Sequence, residues 1–224
     1  MKKETFILLE NYMLSCMQDA AHDKDHVYRV LYTAMEIAEN EAVNKDVLIA
    51  ACLLHDIARK DQLENPSVCH AALGAEKAEA FLLANGFAAD FAAHVRDCIY
   101  THRFRKAMPP KTMEAKILFD ADKLDVAGAI GIARTLLYRA DAREPLYTLQ
   151  DDGSVSDGSG DAPDSFFHEY QFKLKNIYGR FYTEKARQMA QSRRSAAENF
   201  CRCLYEEMNA AHTAGRFALE KEIN

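Results

Sequence analysis

The sequence predicts an all-α protein, and three observations carry that expectation. Apolar residues recur at three- and four-residue spacing along most of the 224-residue chain, which is the period of one buried helix face. No run of alternating β-branched residues competes with it. Asn85-Gly86 closes one periodic stretch in the manner of a helix C-cap.

The first helix is marked by Val27, Val30, Leu31, Ala34, Ile37 and Ala38 on one face. Val47, Ala50, Ala51 and Leu54 repeat the spacing and end at His55-Asp56. A weaker pattern covers Ala71 to Leu83, and Phe91, Val95, Cys98 and Ile99 mark the next helix. Ile117, Leu118, Ala121 and Leu124 open another, which the pattern lets run on through Ile130, Ala133 and Leu137. Residues 151–165, DDGSVSDGSGDAPDS, break the periodicity. So polar a stretch is expected to be a surface loop, either disordered or acting as a mobile lid over a site. Beyond it, 166–182 and 183–207 read as two more helices. In the last, Arg193 interrupts an apolar stripe of Ala186, Ala190, Ala197, Phe200 and Leu204. It is either a snorkelling or salt-bridged arginine or one that faces a phosphate. No internal repeat is visible.

Length fits one domain over residues 1–224, and 49% apolar content is enough for a substantial core. A formal net charge of −6 argues against general nucleic-acid binding. It leaves room for a local basic pocket that takes a small phosphorylated substrate. The six cysteines form no C-x-x-C pair and are expected to be reduced, partly buried thiols of a cytoplasmic protein. Cys201 and Cys203 lack the second pair that a closed metal site needs. Lys2 and Lys3 precede the short run Phe6 to Leu9, which Glu10 interrupts. That run is too short for a signal-peptide core or a membrane span, so no membrane partner is expected. Oligomeric state is left open.

Three clusters carry chemistry: His22-Asp23-x-x-His26-x-x-Arg29, His55-Asp56, and Asp120-Ala121-Asp122-Lys123-Leu124-Asp125. A His-Asp pair alone is weak evidence. His55-Asp56, however, sits where an apolar helix ends, between Cys52-Leu53-Leu54 and Ile57-Ala58. A carboxylate shielded there requires a cation or hydrogen-bond donors. Asp122 and Asp125 share a face with apolar residues and have the same need. A divalent ion would satisfy the acids and the histidines together. Imidazole and carboxylate without thiolate suit Mn, Mg, Ni, Fe or Co more than structural zinc. Such an ion would keep open positions for a water, activated as nucleophile, and a phosphate oxygen. Nearby Arg or Lys would offset charge on the phosphoryl group.

The ordered set His26, His55-Asp56 and Asp122 resembles the HD superfamily of helical metal-dependent phosphohydrolases. AHDKDHVYRV, LLHDIAR, HAALGA from His70, YTHRF, EAKILFDADKLDVAGAIGIAR and ARQMAQSRR are similar to one bacterial subgroup of it. That subgroup comprises small stand-alone hydrolases, some of them nucleoside-triphosphate pyrophosphohydrolases. The likeness covers about residues 15–207; DADKLD followed by GAIGIAR is its specific part. It implies metal ligation by His26, His55, Asp56 and Asp122. Asp122 is chosen over its neighbours because it directly precedes the basic-Leu pair. Asp120 and Asp125 then support the ligands from outside.

The resemblance leaves His70 and His102 as ligands of a second ion, as phosphate contacts or proton carriers, or as structural residues. His22, one turn before His26, orients it, binds substrate or lies on the surface. Arg29 and Lys123 bind phosphate or pair with acids; Arg59, Arg103 and Lys106 stand behind them. His94, His168 and His212 are read as structural, with His168 alternatively facing the site. The expected reaction is hydrolysis of a nucleoside triphosphate to a monophosphate and pyrophosphate. Alternatives are a nucleotidase, a cyclic-nucleotide phosphodiesterase, a di-iron oxygenase and a non-catalytic nucleotide-sensing module.

Overall fold

The computed structural model describes residues 1–17, 24–103, 108–161 and 164–223, and it is helical as expected. Two compact units form: Met1–Asp125 with Phe181–Ala186, and Val126–Arg180 with Arg187–Asn224.

The first unit contains α1 (Lys3–Cys16), α2 (Lys24–Ile37), α3 (Lys45–Leu54), α4 (Arg59–Glu64), α5 (His70–Ala84), α6 (Ala89–Tyr100) and α7 (Met113–Leu124). Its centre is α3, where Val47, Leu48 and every residue from Ala50 to Leu54 are buried. A helix apolar on all sides is stable only when surrounded, and α1, α2, α6 and α7 pack against this one. Asn44 starts it, with a side chain that accepts the N–H groups of Asp46 and Val47. α2 is amphipathic, burying Val27, Val30, Leu31, Ala34 and Ile37 and exposing Tyr32. α5 ends as Asn85-Gly86 predicts. Gly86 takes φ +79, and Gly86 and Phe87 donate their N–H groups to the Leu83 and Leu82 carbonyls, which is a Schellman closure. α1 has no counterpart in the periodic reading because it buries only Leu9 and Met13.

The second unit contains α8 (Gly128–Asp141), α9 (Phe166–Phe172), a 3-10 turn at Leu174–Gly179, most of α10 (Glu184–Ala210), a π-helical turn at Ala211–Gly215 and α11 (Arg216–Ile223). Ile132, Phe166, Phe167, Leu174, Ala197 and Cys201 form its core.

Two expectations change here. The pattern from Ile117 to Leu137 is broken into α7 and α8, because Gly128 opens α8 at φ +76. A Cβ at Gly128 would also lie 2.6 Å from Arg193 Cβ, so the position excludes a side chain. Segment 166–182 is not one helix either. Beyond α9 the 3-10 turn puts Leu174 and Ile177, three residues apart, into the interior together.

In the described part of the polar stretch 151–165, the Asp161 carboxylate accepts the hydroxyls of Thr148, Ser156 and Ser165. Leu149 and Val155 pair as a single antiparallel bridge, and Val155 is buried. Its Ser and Asp content thus serves hydrogen-bonded turns. Among the described residues no helix is long and apolar enough to cross a membrane.

Candidate metal centre

Five elements of the first unit deliver the cluster. α2 carries His26 and Arg29, and the turn after α3 carries His55 and Asp56. His70 is the first residue of α5, and His102 with Arg103 lies just beyond α6. α7 ends in Asp122 and Lys123, with Asp125 as its C-cap. His55 and His70 are 0% exposed, His102 1%, Asp56 3% and His26 4%. Burial on that scale forces every polar atom to find a partner.

The Nδ1 atoms find theirs outside the cluster. His55 Nδ1 lies 2.7 Å from the Cys52 carbonyl and His102 Nδ1 2.6 Å from the Ile99 carbonyl. Both use the same device, a ring turned back on a carbonyl left open at a helix C-terminus. His26 Nδ1 lies 2.7 Å from Asp125 Oδ2, and His70 Nδ1 faces the Gln62 side-chain oxygen. These partners accept, so Nδ1 carries the proton of each neutral ring and Nε2 presents a lone pair.

All four Nε2 atoms converge on Asp56. Its Oδ2 lies 3.6 Å from both His26 and His55, and its Oδ1 lies 3.4 Å from His70 and 3.7 Å from His102. The Nε2 atoms of His26 and His55 are 3.4 Å apart, and those of His70 and His102 are 3.3 Å apart. Asp56 Oδ2 accepts from Arg59 Nε at 3.1 Å, whereas Oδ1 is buried without a hydrogen-bond partner. Asp122 joins with Oδ1 3.4 Å from His26 Nε2, and its Oδ2 accepts from Lys123 Nζ at 2.7 Å. Lone pairs and carboxylate oxygens crowded this way repel one another unless a cation lies between them.

The protonation states agree. Burial lowers His55 to about 4, against the pull of Asp56. Burial likewise lowers His70 to about 2, where Asp56 opposes the shift and Arg59 adds to it. Both rings are therefore neutral at neutral pH and open to a cation. Burial alone would raise the two carboxyls. Arg59 outweighs it at Asp56, and Lys123 at Asp122, so both stay well below the usual carboxylate range.

Among the described residues, two groups of three ligand atoms, each within 4.8 Å of one another, could hold a metal ion: His26, His55 and Asp56, and Asp56, His70 and His102. Asp56 belongs to both, and neither group contains a cysteine. All six cysteines are free thiols.

Of the other residues singled out in the sequence, Asp125 accepts from Arg29 Nε and Nη2 at 2.8 and 3.1 Å as well as from His26. Asp120 is buried and turns to the start of α10. It accepts the Tyr182 and Thr183 N–H groups at 2.8 and 2.7 Å and the Thr183 hydroxyl at 2.7 Å. Arg193 belongs to the second unit. His94 meets Glu114 at 3.4 Å, His168 the Gly158 carbonyl at 3.0 Å and His212 the Tyr147 hydroxyl at 2.9 Å. His22 and Lys106 lie outside the described residues. Gln62 is the functional neighbour that sequence reasoning misses, since nothing in the pattern links it to His70.

Known proteins resemble this chain over most of its length. The HD domain family model matches residues 24–127, the span that holds the cluster. The chain is 32% identical to a predicted HD superfamily hydrolase from an uncultured Thermotogales bacterium, with a TM-score of 0.61 over 89% of this chain and 90% of that one. It is 27% identical to an HD-superfamily hydrolase from Bacillus thuringiensis, with a TM-score of 0.70 over 94% and 100%. It is also 27% identical to the uncharacterised protein YpgQ of Bacillus subtilis over 85% of this chain and 86% of that protein. A crystal structure of YpgQ in complex with ADP superposes with a TM-score of 0.67 at 23% identity over 89% and 97%. The buried histidine–aspartate cluster and these likenesses converge: the chain belongs to the HD superfamily.

Proposed function

We propose that this protein is a metal-dependent phosphohydrolase that converts a nucleoside triphosphate to a monophosphate and pyrophosphate. The observation that carries the reading is the Asp56 carboxylate, buried with Oδ1 unpartnered and faced by four histidine Nε2 atoms. Such a pocket is built to hold positive charge. His26, His55, Asp56 and Asp122 would hold one divalent ion, and His70 and His102 would hold a second together with Asp56. The donor set of imidazole and carboxylate fits Mn, Fe, Co, Ni or Mg, and manganese is the first choice. A divalent ion held there would bring the pKa of a water toward neutrality and would draw electron density from a phosphoryl oxygen.

The chain's own residues do the rest. Asp125, itself held by Arg29, fixes the His26 ring, which sets its orientation and raises its basicity. The Cys52 and Ile99 carbonyls do the same for His55 and His102. Lys123 balances the second oxygen of Asp122. In the reaction, a water gives up a proton to solvent as its oxygen bonds to the α-phosphorus, and the bond from that phosphorus to the α–β bridging oxygen breaks. Pyrophosphate leaves with the bridging oxygen. The YpgQ complex with ADP supports a nucleotide as the ligand class.

The test is a nucleotide panel offered to metal-stripped protein restored with Mn²⁺, Mg²⁺, Ni²⁺, Fe²⁺ or Co²⁺. Pyrophosphate is expected from triphosphates and none from the Asp56→Ala variant. Orthophosphate alone would move the reading to a nucleotidase, and oxygen-dependent turnover with iron to an oxygenase.

A further inference from the structure

Three basic side chains are committed to the carboxylates of the cluster. Arg29 donates twice to Asp125, Lys123 to Asp122 and Arg59 to Asp56. Arg103 differs. It adjoins His102 on the turn after α6, and its Nη1 is shut off from solvent with no hydrogen-bond partner.

A charged N–H buried without an acceptor forfeits its hydration and receives nothing for it. Such a group in a native fold calls for an explanation, and an absent ligand is a direct one. The ligand must be an anion, because guanidinium only donates. Arg103 directly follows His102, one of the two histidines that face Asp56 Oδ1. A phosphate is such an anion, and a guanidinium fork matches its geometry.

We infer that Arg103 is the substrate-binding cation of this site, donating from Nη1 to a phosphate oxygen at the His70–His102 end. The inference rests on the phosphohydrolase reading above and adds to it the residue that grips the phosphate chain.

The experiment is calorimetric titration of Mn²⁺-loaded protein with inorganic pyrophosphate, in wild type, Arg103→Ala and Arg103→Lys. The alanine variant is expected to keep its Mn²⁺ stoichiometry and to weaken pyrophosphate binding by roughly 10- to 100-fold. The lysine variant recovers part of the loss, as a point charge without the fork. The thermal midpoint of ligand-free Arg103→Ala should equal or exceed that of wild type, because no native partner is lost; a structural arginine would lower it. Should the alanine variant fail to fold, Arg103→Gln carries the same test with the same expected loss.

Unchanged pyrophosphate affinity in a folded, metal-binding variant overturns the role of Arg103 and leaves the phosphohydrolase reading intact. Wild-type protein that binds Mn²⁺ but neither pyrophosphate nor any nucleotide overturns both.

Discussion

His26 and His55 hold their Nε2 atoms 3.4 Å apart, although each ring has already committed its Nδ1 to an acceptor. Two lone pairs at that distance offer each other no hydrogen bond, and a cation between them removes the conflict. Stability should therefore depend on metal. At an ion concentration 100 times its dissociation constant, the folded protein gains about 2.7 kcal/mol. Thermal unfolding with chelator and with Mn²⁺ is expected to show a clear rise in midpoint, absent in His55→Ala.

Removing a proposed ligand separates chemistry from folding. Asp122→Ala is expected to lose turnover and bound metal while helical circular dichroism is kept. Metal analysis beside a steady-state assay checks this, and an Asp122→Ala protein with normal metal content and turnover would refute the ligand assignment.

Support of a ligand should act through metal affinity. Asp125→Asn keeps an acceptor for His26 Nδ1 but removes the charge that also holds Arg29. Affinity for Mn²⁺ is expected to drop by about 10- to 100-fold, as read by a competitive chelator titration.

Asp120 predicts the opposite phenotype. Its carboxylate is fully buried and accepts from Tyr182 and Thr183, anchoring the chain that enters α10. Asp120→Ala is expected to lose about 2–4 kcal/mol of stability while its folded fraction still binds metal. Denaturant unfolding with parallel metal analysis tests both halves.

Acid should destabilise the metal-free protein well before its carboxyls titrate. His55 titrates near 4 when folded against 6.5 for an ordinary histidine, and His70 near 2. Below pH 6.5 the unfolded chain takes up these protons and the folded chain does not, so stability falls with pH. For His55 the loss is on the order of 3 kcal/mol by pH 4. Asp56 and Asp122, both held low, contribute stability above 3.8 that is lost only on further acidification. Thermal midpoints from pH 7.5 to 4 should decline continuously; a flat profile over that range would contradict the neutral, metal-ready histidines.

The sequence made much of this legible, for physical reasons. His55-Asp56 stood out because apolar neighbours on both sides imply burial, and burial of a carboxylate implies a partner. The helical period located α2, α3, α5 and α6 because each buries a full stripe, but missed α1 with its two buried residues. It also ran across Gly128, since one left-handed residue leaves hydrophobic spacing unchanged. Gln62 was invisible, because its contact with His70 depends on how α4 meets α5. The double-facing role of Asp56 depends on the turn after α3, which no spacing encodes. Arg29 and Lys123 attracted notice by adjacency to His26 and Asp122, yet a basic residue beside an acid satisfies that acid first. Arg103 carries no local signal except its place after His102.

The most direct test of the central claim is one titration of metal-free protein with Mn²⁺, following bound metal and pyrophosphate release from a nucleoside triphosphate together. Release is expected to rise with occupancy, and Asp56→Ala to show neither. Turnover without bound metal, or full occupancy with every nucleotide left intact, would contradict it.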